Sequence, residues 1–211
     1  MTDVLEPRPD VRSRRKAERP QEILQAAFDE FSRNGYATTT LEAIAERAGV
    51  TKGTIYVYFE NKEHLFISMV REVTKATLDT VHDMFASHDG STADLLRAQF
   101  SFIYQHIVAD RRRREVVRML IAEAPRFPAL ADRYHEEILK PCLDMLRQAI
   151  QRGIDRGEFR KSAIVDSPQV VIAPIALVDL WMMMFDERQP LDLKAYFNAH
   201  LDLVLNGLLA K

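Results

Sequence analysis

Between Thr38 and Lys62 the chain reads TTTLEAIAERAGVTKGTIYVYFENK, a stretch that leaves few options for its fold. Leu41, Ile44, Ala45 and Ala48 recur at helical spacing, and Gly49 follows where a left-handed helix end belongs. Thr39, with Glu42 three residues on, fits a capping box at the front of that helix. Thr51 is placed to cap a second helix over residues 52–59, after which a further turn leads into a third. The pattern is two short helices across a tight turn.

At about 100° per residue the second helix separates into two faces. Ile55 and Phe59 fall on one side, as anchors to a core. Val57 lies opposite, flanked by Gly53 and Thr54, with Lys52, Tyr56 and Tyr58 towards the edges. A helix that presses into a DNA major groove needs such a face, small at its centre and rimmed by hydroxyls and a cation. Gly53 permits close backbone approach, Val57 suits a thymine methyl and Thr54 a base edge. Thr51, Lys52, Tyr56 and Tyr58 suit phosphates. Lys62 sits in the first turn of the following helix, which Asn61 caps; a cation there runs against the macrodipole, and phosphate contact accounts for it.

The run from Gly49 to Leu65, GVTKGTIYVYFENKEHL, with Thr39-Thr40, Ile44-Ala45 and Ala48-Gly49 before it, closely resembles the DNA-binding domain of TetR-family transcriptional regulators. The resemblance covers roughly residues 20–66. Beyond them the chain is similar to that family only in length and helical pattern. Val57 departs from many such regulators, in which an aromatic residue or histidine is common, and this leaves the centre of the face apolar. The resemblance implies DNA contact from Thr39 and Thr40 as well as from Thr51, Lys52, Gly53, Thr54, Tyr56, Val57, Tyr58 and Lys62. It also implies a homodimer on a palindromic double-stranded operator, a small-molecule effector held in the C-terminal half, and repression relieved by that effector.

The expected fold is all-α, since no run alternates with period two over a useful length. A basic, disordered arm (residues 1–19), without periodicity and either a solvated tail or placed to reach DNA phosphates or a minor groove, precedes a three-helix helix-turn-helix domain (20–66) and a helical ligand-binding and dimerisation domain (67–211), about nine helices in all. Ile23, Leu24, Ala27, Phe28 and Phe31 form the scaffold helix of the first domain, ended by Asn34-Gly35. In the second, Ser91 caps a helix, Asp110 stands before a solvated run of four arginines (111–114), and Pro125 and Pro128 close the helix that follows. One long helix is expected from Ala129 to about Arg156, kinked by Pro141 and ended by Gly157. Ser167-Pro168 starts a helix in which Asp179 is the only charge as far as Phe185; Gln169, Pro174 and Asp179 interrupt it too much for a membrane span, so it reads as buried all round. The last two helices carry more apolar surface than one subunit covers and are the expected dimer interface.

The aromatics and methionines between Leu95 and Phe185 offer an adaptable apolar pocket, and Phe102, His106, Met119, Tyr134 and Trp181 are its candidate ligand contacts. Taken singly, each is better explained by core packing. His106, His135 and Asp179 are the candidate polar lining.

Other function classes find little support. The six histidines show no metal spacing, no Gly-rich phosphate loop occurs, and Cys142 beside Pro141 reads as packed rather than activated, so neither catalysis nor a cofactor is indicated. A single cysteine fits a reducing cytoplasm, and no apolar leader opens the chain. The net charge of -2 confines DNA affinity to a local patch. A DNA-binding regulator with no ligand, constitutive or controlled by a protein partner, remains as the alternative.

Overall fold

A computed structural model describes residues 11–108, 110–185 and 188–210; residues 1–10 of the expected arm, Ala109, and the side chains of residues 11–17 lie outside them. The chain divides between Val70 and Arg71 into two compact units. Among the described residues there is no β-strand, only an isolated bridge between Phe159 and Leu209. No helix there is long and apolar enough to cross a membrane.

The first unit holds α1 (Val11–Thr38), α2 (Leu41–Arg47), α3 (Lys52–Tyr58) and the start of α4 (Lys62–Ser87). Helix begins at Val11, within the expected arm, because Arg, Lys, Ala and Glu in residues 12–19 are strong helix formers. α1 breaks its helical course at Gly35, whose φ of 76° only glycine adopts freely. Ile23, Ala27 and Phe31 of α1, Ile44 of α2, Ile55 of α3 and Leu65 and Phe66 of α4 are wholly buried. Phe66 sets its ring edge-on to Phe31 and Tyr36, at centroid distances of 5.1 and 5.2 Å. The buried Glu30 carboxylate is matched by Arg47 at 2.5 Å and Asn34 at 2.8 Å.

The cap of α2 is Thr40, not Thr39: Thr40 Oγ1 accepts from the Ala43 amide at 3.2 Å. Thr39 instead turns inward, 3% exposed, and donates to the carbonyls of Gly35 and Glu30. At the other end Gly49 (φ 63°) closes α2, with the Val50 amide on the Ala45 carbonyl and the Gly49 amide on Glu46. This is the paired closure of a left-handed helix end.

The second unit contains the rest of α4, then α5 (Thr92–Phe102), α6 (Arg111–Glu123), α7 (Pro128–Tyr134), α8 (Lys140–Asp155), α9 (Gln169–Met184) and α10 (Leu193–Leu208). The expected cap Ser91 is in place, and Asp110 caps α6 by accepting from the Arg112 amide. α7 and α8 are not one kinked α-helix: a π-turn over His135–Leu139 joins them. Pro141 has no amide to bond four residues back, which favours a wider turn just before it. A second π-turn, Ile103–Ile107, follows α5. The core gathers Leu96 and Phe100 of α5, Ala149 and Ile150 of α8, Val171 of α9 and Leu201, Val204, Leu205 and Leu208 of α10.

α9 is not buried all round. Val171, Val178 and Asp179 face inward, whereas Val170, Leu177, Leu180 and Met184 are exposed, as is Leu203 of α10 at 70%. The helix is too apolar for a two-faced surface element, so its outer side is left uncovered by its own unit.

His200 ties three elements together. Its Nε2–H donates to the Val171 carbonyl at 2.8 Å, which leaves Nδ1 to accept from the Tyr104 hydroxyl at 2.9 Å. That tautomer is neutral. Burial holds the His200 pKa below its ordinary 6.5, against the opposing pull of the Val171 bond. The unfolded chain therefore binds the extra proton first, and this contribution to stability is whole above about pH 6.5 and is lost as pH falls below it towards the lowered folded value. The urea midpoint of the second unit is expected to drop between about pH 7.5 and about pH 5.5, and His200→Gln to drop less over the same interval. Equal drops in both proteins would exclude His200 as the source.

Candidate DNA-reading surface and C-terminal cavity

α3 presents the two faces that its spacing requires. Ile55 is wholly buried and Phe59 nearly so, while Val57 is 72% exposed and Lys52, Gly53 and Tyr56 are exposed around it. Thr54 and Tyr58 are half-buried at the edges. Thr51 caps the helix by accepting from the Thr54 amide at 3.2 Å, and the two hydroxyls meet at 2.9 Å. A methyl group added at Gly53 would approach nothing nearer than Thr51 Oγ1, at 3.7 Å. The fold itself thus has no need of glycine there.

The two expected phosphate-binding lysines are held differently. Lys52 Nζ lies 2.5 Å from the Glu42 carboxylate of α2 and 5.7 Å from the centre of the Tyr56 ring. Its hydrogen bond to Glu42 raises the Lys52 pKa and lowers that of Glu42, so both are charged at neutral pH. Lys62 turns into the unit, donating to the carbonyls of Tyr36 (2.8 Å), Ala37 (3.3 Å) and Thr39 (2.9 Å) with its ammonium 4.5 Å over the Tyr36 ring. A cation at the C-terminal end of α1 is well placed against that helix's dipole. This accounts for a lysine at the start of α4. Asn61 caps α4 as expected, accepting from the His64 amide at 2.8 Å. Thr40 is exposed at the head of α2; Thr39 is not.

The second unit holds a half-open cavity of about 300 Å³, at the lower end of the range of small-molecule sites. Its wall comes from α4 (Thr77, Leu78, Val81), α5 (Leu96, Gln99, Phe100), α6 (Arg113, Val117), α8 (Cys142, Met145, Leu146) and α9 (Ile172, Ile175, Ala176, Asp179), with Ile103, Tyr134 and Leu139 between them. Of the expected ligand contacts, only Tyr134 lines it. Met119 is buried in packing, His106 stacks on Phe102 at 4.5 Å, and Trp181 donates to the Gln189 carbonyl at 2.7 Å. His135 is exposed beside Glu136, whereas Asp179 does line the space.

The arginine run is solvated only in part. Arg111 and Arg112 are exposed, but Arg114 donates to the Val108 carbonyl at 2.6 Å and Arg113 pairs with Asp179. A signal for this pair was present: Asp179 is the lone charge in an apolar run and calls for a buried partner. Burial raises the Asp179 pKa, opposed by Arg113 and Arg114. Burial also raises Tyr134 and the Cys142 thiol, and the thiol donates to the Ile138 carbonyl at 3.1 Å. Cys142 is therefore a packed thiol, not a nucleophile. No group of His, Cys, Asp and Glu among the described residues could hold a metal ion.

Comparison with known proteins matches both units. Residues 23–69 match the family described as bacterial regulatory proteins, tetR family, and residues 87–194 match the tetracyclin repressor-like C-terminal domain. The fatty acid metabolism regulator protein of Bacillus subtilis is 28% identical over 197 residues, which cover 92% of this chain and 98% of that one. The solved structure of FadR from Bacillus subtilis in complex with stearoyl-CoA shares the fold at a TM-score of 0.68 and 27% identity, covering 89% of this chain and 98% of that one. That of SmeT, the repressor of a Stenotrophomonas maltophilia multidrug efflux pump, in complex with triclosan gives 0.76 and 25%, covering 92% of each. With a reading helix in one unit and matches that span both, the chain belongs to the TetR family of bacterial regulatory proteins.

Proposed function

We propose that this TetR-family regulator is a homodimeric, cytoplasmic repressor whose α3 reads a palindromic operator, and that a small apolar or amphipathic molecule filling the C-terminal cavity releases it. The observation that carries DNA reading is the outward face of α3, where Gly53 is small without any demand from the fold. The protein is a DNA-binding regulator rather than an enzyme. A lone helix-turn-helix contacts few bases, so two copies on a two-fold site are needed, and the uncovered apolar side of α9 with Leu203 of α10 supplies a face for pairing.

Release follows from chain continuity. α4 runs unbroken from Lys62, whose ammonium holds the end of α1, to Thr77, Leu78 and Val81 on the cavity wall. A ligand that moves the wall acts on the helix whose first turns belong to the DNA-binding unit. Half-sites lie about 34 Å apart, so a shift of a few Å breaks simultaneous docking. The cavity favours this reading over a regulator without a ligand. Two similar proteins, solved with stearoyl-CoA and with triclosan, support it.

Selection of bound sequences from random DNA tests the reading, with a palindrome as the expected result. Lys52→Ala should weaken binding to every sequence and reduce the salt slope by about one. Lys62→Ala should leave the salt slope nearly unchanged and cost about 1–2 kcal/mol of folding stability, since its donors serve carbonyls. Substituting Thr54 or Val57 should change which bases are preferred; variants that keep both affinity and preference would refute this orientation of α3.

A further inference from the structure

The cavity wall is apolar except around one buried ion pair. Arg113 of α6 donates to Asp179 Oδ2 of α9, and these side chains are only 16% and 4% exposed. Asp179 Oδ1 is buried and has no hydrogen-bond partner among the described residues. Buried carboxylate oxygens are otherwise matched by protein, water or ligand, and one left alone is costly. Arg113 and Asp179 both line the cavity, beside Tyr134. Asp179 therefore borders the space that a ligand would fill, and its unmatched oxygen, closed off from water in this arrangement, asks for a donor.

We infer that the cavity takes an uncharged, largely apolar molecule ending in a hydroxyl, and that this hydroxyl donates a hydrogen bond to Asp179 Oδ1. The inference rests on the ligand-release reading above and narrows its ligand. A carboxylate would bring a second negative charge against Asp179. An ammonium could donate to Oδ1, but the pair is neutral as a unit, so either charged group would leave water without a net counter-charge to offset that cost. A bare hydrocarbon would match Val117, Ile172 and Ile175 but leave Oδ1 as it stands. A hydroxyl does neither harm, and its bond to an ionised carboxylate is about twice as strong as one between neutral groups. The pair itself supplies the discrimination: neutral as a unit, with one acceptor site open.

The test is calorimetric titration of the full-length protein with four chain molecules of matched length: decan-1-ol, 1-methoxynonane, decanoate and decylamine. Operator release by each is measured in parallel. Decan-1-ol is expected to bind at least about tenfold more tightly than the other three and to be the most effective in release. In Asp179→Asn the advantage of decan-1-ol over 1-methoxynonane should shrink by about threefold or more, since the acceptor is no longer charged. If that variant does not fold, the four affinities of the unaltered protein still decide. Tightest binding by decanoate or decylamine, or equal binding of alcohol and ether, would overturn the hydroxyl assignment while leaving ligand release in place. Binding by none of the four, with no effect on the operator complex, would overturn both.

Discussion

Phe66→Ala is expected to remove about 3–5 kcal/mol from the stability of the first unit and, at growth temperature, to abolish operator binding with it. Phe66 is wholly buried, and its ring is the meeting point of two others, Phe31 and Tyr36. Deleting it loses the transfer energy of a large side chain and leaves a void bounded by two rings that helix α1 holds in place. Tyr36 also receives the Lys62 ammonium on its face, so the damage reaches the junction of α1 with α4. Domains are stable by only about 5–15 kcal/mol, and the loss is a large part of that. Urea unfolding followed by circular dichroism reads it directly. A loss under about 1 kcal/mol would mean that the three-ring cluster is not the keystone of this unit.

The second large effect concerns the pairing face. Leu177→Glu combined with Leu203→Glu should convert the proposed dimer to monomers and lower operator affinity by about 100-fold or more. Both leucines are exposed in the single chain, so the substitutions cost the monomer little. In a two-fold interface each glutamate appears twice and is stripped of water against apolar partners, which association cannot repay. Each monomer would then hold one half-site without the gain from its tethered neighbour. Sedimentation velocity gives the mass and gel-shift titration the affinity. A variant that stays dimeric at full operator affinity would place the interface elsewhere.

What could be read from the chain alone follows the range of the interactions concerned. Local rules sufficed for Gly49, for the anchoring of α3 by Ile55 and Phe59 with Val57 outward, and for the caps Asn61 and Ser91. The caps and the Gly49 closure rest on partners within a few positions, and the two faces of α3 follow from helical periodicity. Thr39 and Thr40 are chemically alike, and which of them caps α2 is decided by the Gly35 and Glu30 carbonyls that draw Thr39 inward. Lys62 serves carbonyls 23 to 26 positions earlier, and Arg113 pairs with a residue 66 positions later; no spacing rule reaches so far. The cavity was the least legible part. Aromatic and methionine content pointed to its neighbourhood, yet only Tyr134 and Asp179 among the chosen residues border it, because an empty volume depends on how several helices fail to meet.

The π-turn at His135–Leu139 has a further consequence. Residues five apart fall about 140° away from each other on an α-helix, but the wider turn stacks them. Tyr134 and Leu139 can therefore face the same space, and both border the cavity. The shape of that chamber is encoded partly in residue count. A descendant chain one residue shorter within this turn would wind as ordinary α-helix, and everything after it, Cys142 and Met145 included, would be re-aimed relative to Tyr134. A single insertion or deletion in this segment rotates a whole wall of the cavity at once, which no substitution does.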